Sequence, residues 1–351
     1  MLMFARLNVF FERCLVGRAF SFVLVIVLFL TLLSGCAEQT VQFSDTRLLM
    51  DTYGTITIHG DVDPELLDEA FALVEELEGL LSMTIEGSDV WRINHAGGEA
   101  VQVDYRTVEV IKAGLEFAAL SDGMLDITIG RLSRLWDIGG SDDNVNPLVS
   151  QVPSIPEIEE VRKTVNYSLV TTIENSVQLM NPDTWIDLGA VAKGYIANAV
   201  AEFLIDNGVS GALIDLGGDV VTIGYRQDGN PWRIALQLPF GGTGEWIGVV
   251  EVADVAVVAS GIYERQFEED GIIFHHILDP NTGMPVVSDV VSATIIAENA
   301  IIGEGLSTIA VLIGSESSLN LFGHVDGFIG AVLVLDSGEV VQFGNVELMD
   351  G

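Results

Sequence analysis

A chain of 351 residues with a formal net charge of −36 is long enough for one large domain or two, and too acidic to suit nucleic acid as a partner. Its only cysteines are Cys14 and Cys36, one in the N-terminal leader and one at its end, which leaves none for a disulfide framework or a thiolate metal site, and only five histidines argue against a multi-histidine zinc cluster. The acidic residues are spread among apolar segments, so they belong to a folded surface, and a bound anion such as a pyrophosphate needs local cations or a metal to overcome that field.

The first 35 residues stand apart. Arg6, Arg13 and Arg18 make a basic leader, and Phe20 to Leu33 is almost wholly apolar. That length matches a signal h-region and is short for a membrane span. Leu33-Ser34-Gly35-Cys36 follows, which resembles the bacterial lipobox, where the signal is cut before the cysteine and the cysteine is lipidated. An uncleaved N-terminal anchor is the other reading. Both put the globular part outside the cytoplasm; the first makes it lipid-anchored to a bacterial membrane, facing the periplasm or exterior. The leader holds three arginines and one glutamate, so the remainder carries about −38. The expected organisation is a signal peptide over 1–35, a tether over 36–45 and a single domain over 46–351.

Thr46 to Ile58 alternates as a strand. Asp63-Pro64 reads as an N-cap followed by proline at the first helical position, opening a helix to about Leu81 with Leu66, Leu67, Phe71, Val74 and Leu77 on one face. Ser88 to Asn94 reads as a polar turn, and Arg106 to Leu120 as an amphipathic helix ended by Ser121-Asp122-Gly123. Gly123 to Gly130 brackets an apolar run with one acid, Asp126. It reads either as a loop packed flat against a ligand or as a buried turn with a capping aspartate. Residues 140–156 form the expected internal loop, Pro156 to Lys163 a short helix, and Tyr167 to Met180 a hairpin.

The most informative stretch is Trp185 to Gly224. It predicts a short buried strand at 185–188, a glycine turn, a helix over Ala190–Asn207 with Val191, Tyr195, Ala199 and Phe203 on its apolar face, a stop at Gly208, and a strand over Ala212–Leu216. A helix start preceded by a glycine turn leaves backbone N–H groups free for phosphate. Lys193 lies in the first turn and Asp187 just before it. The spacing is neither a P-loop nor a dinucleotide fingerprint. A phosphorylated ligand with a metal or polar ring edge nearby is one reading; an ordinary strand–helix connection with a surface lysine is the other.

Beyond it, Trp232–Leu238 and Trp246–Val252 read as paired strands, Val255–Ala259 as a buried strand, and Phe274–Leu278 as a strand ending in the turn Asp279-Pro280-Asn281-Thr282-Gly283. Val291–Ala297, a helix over Ala300–Ile313 and a hairpin over Phe328–Val341 complete the chain. Strands and helices mix without regular βαβ alternation, which predicts an α+β fold of mixed sheets with packed helices.

Several separated pieces together resemble the ApbE family of FAD:protein FMN transferases, bacterial flavin-transferring enzymes that are often lipoproteins. They are Met50-Asp51-Thr52, Ser88-x3-Arg92-x-Asn94, Gly123-x2-Asp126-x-Thr128-x-Gly130, Asp187 to Tyr195, Asp215-Leu216-Gly217-Gly218-Asp219, Ser260-Gly261-x-Tyr263, His276-x2-Asp279-Pro280-x-Thr282-Gly283 and Glu304-x3-Thr308. The resemblance covers about 46–315 and implies an ApbE-like flavin transferase fold. It implies a Mg²⁺-dependent enzyme that takes FAD as substrate, splits its pyrophosphate, attaches FMN to a Ser or Thr of an acceptor protein and releases AMP. A membrane electron-transfer subunit is the expected acceptor.

By the same resemblance, flavin contacts fall on Met50, Met124, Leu125, Asp126, Asp187, Lys193, His276 and Leu278, and metal ligands on the carbonyl of Ala190 and on Glu304, Ser307 and Thr308. His276 is the expected base, since histidine titrates near neutrality. His275 points the other way if both lie on one strand. A structural bond from His276 to the Asp279 turn is the competing role. The chain departs from the family at Asp51 (usually Gly), at Glu304 (usually Asp) and at Thr84, where many relatives carry an aromatic that stacks on flavin. FAD hydrolysis to FMN and AMP, and non-catalytic FAD binding by a lipoprotein, are the other functions these residues admit.

Overall fold

The computed structural model describes residues 41–139, 151–242 and 244–350. The expected signal peptide, the lipidation site Cys36, the start of the tether and positions 140–150 of the internal loop lie outside the described residues. From Gln42 the chain clusters as one unit.

The expected strand at 46–58 is a hairpin. β1 (Val41–Leu49) turns into β2 (Thr52–Gly60) through Met50 and Asp51, whose φ angles of 49° and 58° are both left-handed. Two-residue hairpins require such a pair, normally supplied by Asn and Gly. With Met and Asp in the turn, the alternation ran through it unmarked. The strand also begins at Val41, inside the span expected to be tether.

Helix α1 (Glu65–Leu81) buries Leu66, Leu67, Phe71, Val74 and Leu77 as the spacing predicts, with Pro64 at the N-cap position and Asp63 accepting from the Glu65 N–H. Ser88 to Asn94 is a helix rather than a turn. Its N-cap Ser88 accepts from Trp91 N at 2.9 Å, opening α2 (Asp89–Asn94). After β3 (Val101–Gln102), Asp104 caps α3 (Tyr105–Leu120). Next come α4 (Gly130–Trp136), α5 (Ile155–Arg162) with a Ser154/Glu157 capping box, and a hairpin of β4 (Val170–Ile173) and β5 (Ser176–Leu179).

Residues 185–188 are extended but make only one parallel bridge, Ile129 to Trp185, so they are a tie between loops and not a sheet strand. Helix α6 (Ala192–Asp206) follows. Its most buried ridge is Ile196, Val200 and Leu204; the expected row Tyr195, Ala199, Phe203 flanks it half-buried. β6 (Gly211–Leu216), β7 (Asp219–Gly224), β8 (Trp232–Gln237), β9 (Trp246–Val252) and β10 (Ala256–Gly261) follow. β11 (Gln266–Glu269) pairs with β12 (Ile272–His275), leaving His276 to Leu278 beyond the strand expected to contain them. β13 (Val290–Ala297), α7 (Ala300–Ile313), α8 (Ser315–Phe322), β14 (Phe328–Leu335) and β15 (Val340–Gly344) end the chain.

The central sheet has eight strands in the order β1-β2-β6-β7-β10-β13-β14-β15, antiparallel from β2 through β15. The main apolar core lies between it and helices α1, α6 and α7. On the opposite face the separate β8–β9 ribbon packs through Leu236 and Val250 onto Val220, Val257, Ile296 and Val332. A third cluster joins α4 and α5 to Leu278, and the Trp136 indole N–H donates to the Gly283 carbonyl at 2.8 Å. These layers make an α+β fold with antiparallel sheets.

Candidate active site

The start of α6 lies against the start of α7. Gly194 permits this contact: a Cβ there would stand 2.5 Å from the Ala300 carbonyl oxygen. The approach brings Glu304, on the buried face of α7, to the first turn of α6. Its Oε2 accepts from the Gly194 N–H at 2.8 Å and its Oε1 from Lys193 Nζ at 2.8 Å. Lys193 donates also to Asp219 Oδ2, at 2.9 Å, from the first residue of β7. The helix N-terminus that looked open to phosphate is thus partly capped from within by a carboxylate.

Two buried carboxylates share one ammonium, so the cluster keeps a surplus negative charge. Asp219 is 1% exposed and its Oδ1 has no partner. Burial raises Glu304 to about 7, against the pull of Lys193, and Asp219 beside it adds to the rise. Lys193 itself is held above the ordinary lysine range by the two acids, which outweigh its burial.

The cluster lies where two lobes of a cleft meet, one of about 670 Å³ and one of about 1170 Å³. Met124, Leu125, Asp126, Ala190, His276, Leu278, Glu304 and Thr308 line the smaller lobe and Met50 the larger; Asp187 and Lys193 line both. Ser307 lines neither. It is fully buried, bonded to the Glu304 carbonyl at 3.0 Å and to Ser260 Oγ at 2.8 Å; Ser260 lies 3.3 Å from the Thr308 hydroxyl. The expected site residues therefore converge, apart from Ser307, which braces its neighbours.

Asp126 lies in the wall, but its carboxylate is committed to the protein. Oδ1 accepts from Thr128 N and Oγ1 at 2.8 and 2.6 Å, and Oδ2 from Tyr167 N at 2.9 Å. This is the capping role the sequence left open. Asp187 is less engaged: Oδ1 closes a turn onto the Gly189 N–H at 2.9 Å. Its loop is clamped by Asn94, whose side-chain amide accepts from Ile186 N at 2.7 Å and donates to Ile186 O at 2.9 Å. Gly130 lets the same loop close in, since a Cβ there would meet the Trp185 carbonyl at 2.9 Å.

His276 is half-buried, with Nδ1 3.2 Å from the Arg265 carbonyl. A carbonyl only accepts, so Nδ1 carries the proton and Nε2 keeps its lone pair. Burial, then the Arg265 cation, lower this imidazole to about 3. His275 faces away, with Nε2 3.1 Å from the Val286 carbonyl. The competing bond from His276 to the Asp279 turn is absent; Asp279 binds Asn281 N and Thr282 Oγ1.

Three features escaped the sequence reading. Asp219 stood in a quoted motif without a role. Glu264, exposed on the rim shared by both lobes, is raised to about 7 by desolvation in the cleft and by Asp219, against Lys193; the residue as a whole stays open to solvent, so the shift reflects crowding and not a sealed interior. Trp91 and His95 stack with ring centroids 4.1 Å apart, and Trp185 lies 5.0 Å from His95. All three aromatic rings line the smaller lobe. The spacing of four between Trp91 and His95 was the available signal. Thr84 lines both lobes and offers no ring.

This fold and site define a flavin-transferase class of protein. The ApbE family profile matches residues 50–332, and the chain belongs to the ApbE family. It is 31% identical over 304 residues to the FAD:protein FMN transferase of Vibrio cholerae, covering 84% of this chain and 89% of that one. It is 34% identical over 260 residues to a FAD:protein FMN transferase of Klebsiella pneumoniae, covering 72% and 77%. Among solved structures it resembles the flavin transferase ApbE from Vibrio cholerae (TM-score 0.77, 27% identity, 87% of this chain and 98% of that one). The ApbE protein of Thermotoga maritima is similar too (TM-score 0.78, 32% identity, 86% and 97%).

Proposed function

We propose that this chain transfers FMN from FAD to a Ser or Thr hydroxyl of an acceptor protein and releases AMP. The observation that carries it is the junction: Lys193 stands where the two lobes meet, with the free Nε2 of His276 on the adjoining wall. The flavin end of FAD packs on Met124, Leu125 and Leu278, with Met50 and Asp187 flanking the nucleotide. Lys193 meets the diphosphate. The acceptor oxygen attacks the phosphorus of the FMN phosphate, the bond between that phosphorus and the bridging oxygen breaks, and AMP leaves with the bridging oxygen. His276 Nε2 takes the hydroxyl proton. At about 3 this imidazole is a weak base in the free protein. An anionic diphosphate near Arg265 opposes the cation that depresses it and makes it stronger.

The residues present fit magnesium. Among the described residues no three of His, Cys, Asp and Glu converge, and the proposed set needs only one carboxylate. The Ala190 carbonyl, Glu304 and the Thr308 hydroxyl are all oxygen donors lining one lobe, beside a cluster with surplus negative charge. When bound, the ion supplies charge neutralisation for the diphosphate. Were Glu304 to hold the ion, Lys193 would stay anchored through Asp219. Among the described residues no helix is long and apolar enough to cross a membrane; anchorage through lipid on Cys36, outside the cytoplasm and next to a membrane-bound acceptor, is part of the proposal.

The test is to incubate the full mature chain with FAD, Mg²⁺ and a candidate acceptor and weigh the acceptor. A covalent FMN increment with equimolar AMP is expected. AMP without the increment identifies a hydrolase, and FAD binding without AMP a non-catalytic binder.

A further inference from the structure

The β8–β9 ribbon has two outer edges, and the chain treats them differently. The edge of β9 is covered by the chain's own C-terminal segment: Val249 N donates to Met349 O and Met349 N to Val249 O, both at 2.9 Å. Both backbone groups of Val249 therefore point away from β8. Val249 is opposite Ala235 in the ribbon register, so that pair exchanges no ladder bonds. The N–H and C=O of Ala235 consequently face outward from the free edge of β8. Two residues back the same holds for Arg233, opposite Glu251. No described backbone group pairs with either.

This free edge runs along the larger lobe. Arg233, Ile234, Ala235, Leu236 and Gln237 all line it, although Ile234 and Leu236 point toward the sheet while Arg233, Ala235 and Gln237 are exposed. Side chains of opposite faces can line one cavity only along an edge. The lobe continues without a break to Lys193 and Glu264 at the junction. Unpaired strand edges are normally covered or blunted, as β9's is; one left open inside a cleft is a template for an added strand.

We infer that the free edge of β8 is the docking strand for the acceptor protein, which lays an extended segment along it and so delivers its Ser or Thr hydroxyl to the lobe junction. The inference rests on the transferase reading, which requires a second, macromolecular substrate at that junction.

The test uses Ala235→Pro, which removes one outward N–H that the ribbon does not use and which an edge strand tolerates, and Ala235→Ser, which keeps it. Each full-length variant is incubated with FAD, Mg²⁺ and membranes from source cells lacking the endogenous copy. Covalent flavin fluorescence of bands in denaturing gels is read with AMP release in the same reaction, alongside FAD binding without membranes. The expected result is at least a tenfold slower labelling by Ala235→Pro, parent-like labelling by Ala235→Ser, and unchanged FAD binding in both. Parent-like labelling by Ala235→Pro overturns the inference, as does equal loss in both variants, which would mean a side-chain contact. If Ala235→Pro loses FAD binding as well, Arg233→Pro takes its place with the same criteria. A parent that releases AMP yet labels no band points to the hydrolase, and one that does neither points to the binder; either removes the transferase reading and the docking edge with it.

Discussion

Two walls of the same cleft are built on opposite electrostatic terms. In the loop at 123–130, both Asp126 oxygens meet protein donors, and the loop is complete without any ligand. Across the cleft, Asp219 and Glu304 compete for Lys193, and one buried carboxylate oxygen is left with nothing. A satisfied wall gives shape; an unsatisfied one stores a demand for positive charge, which a cation can meet. Buried acids without full compensation are costly to folding, and they persist here at the junction of the lobes.

That contrast can be broken from the unsatisfied side first. Lys193→Ala leaves two buried acids with no cation; transfer should fall by at least about 100-fold and stability by about 3–5 kcal/mol, read by FMN incorporation and thermal unfolding. Glu304→Gln keeps the shape but removes a charge. The magnesium concentration for half-maximal activity should rise by about 10- to 100-fold, and a variant that keeps the parent's metal dependence would remove Glu304 from the ligand set. In the parent the same requirement should rise as pH falls through about 7, where Glu304 takes a proton.

On the satisfied side, Asp126→Ala should cost about 1–3 kcal/mol through the donors it orphans and leave the magnesium requirement unchanged. An altered requirement would mean that the two walls are coupled. The smallest effect is in acid. His276 is lowered from 6.5 to about 3 in the fold, so the unfolded chain binds this proton first. Its neutral burial then loses stability as pH drops from about 6.5 toward 3. His276→Asn should flatten that part of the stability profile.

Legibility followed the range of the interactions. Helices with a regular apolar face were legible: Ala300–Ile313 runs as the spacing predicts, and the 65–81 helix buries the residues chosen for it. Features made by partners distant in sequence were not. Asp219 lies 26 positions from Lys193 and Glu304 111, so neither ion pair has a local signature. The two-residue turn at Met50-Asp51 carries neither glycine nor asparagine, and the strand β11 is too short and acidic to show a period. The motif pieces collected residues that line the cleft, Ser307 excepted, yet could not say whether the Asp126 carboxylate faces a ligand or the Thr128 amide. Composition does not encode that orientation; packing of the loop against Tyr167 does.

Gly194 gives the site a mechanical property that no charge count conveys. Its missing methyl is a spacer of fixed thickness between two helices, with the Ala300 carbonyl 2.5 Å from where a Cβ would stand. The separation of Lys193 from Glu304 is therefore gauged by a backbone contact and not by the ions themselves. Gly194→Ala would pry the helices apart and detune the electrostatics while every ionisable group in the protein stayed in place. The site is, in that sense, machined to a tolerance smaller than one carbon atom.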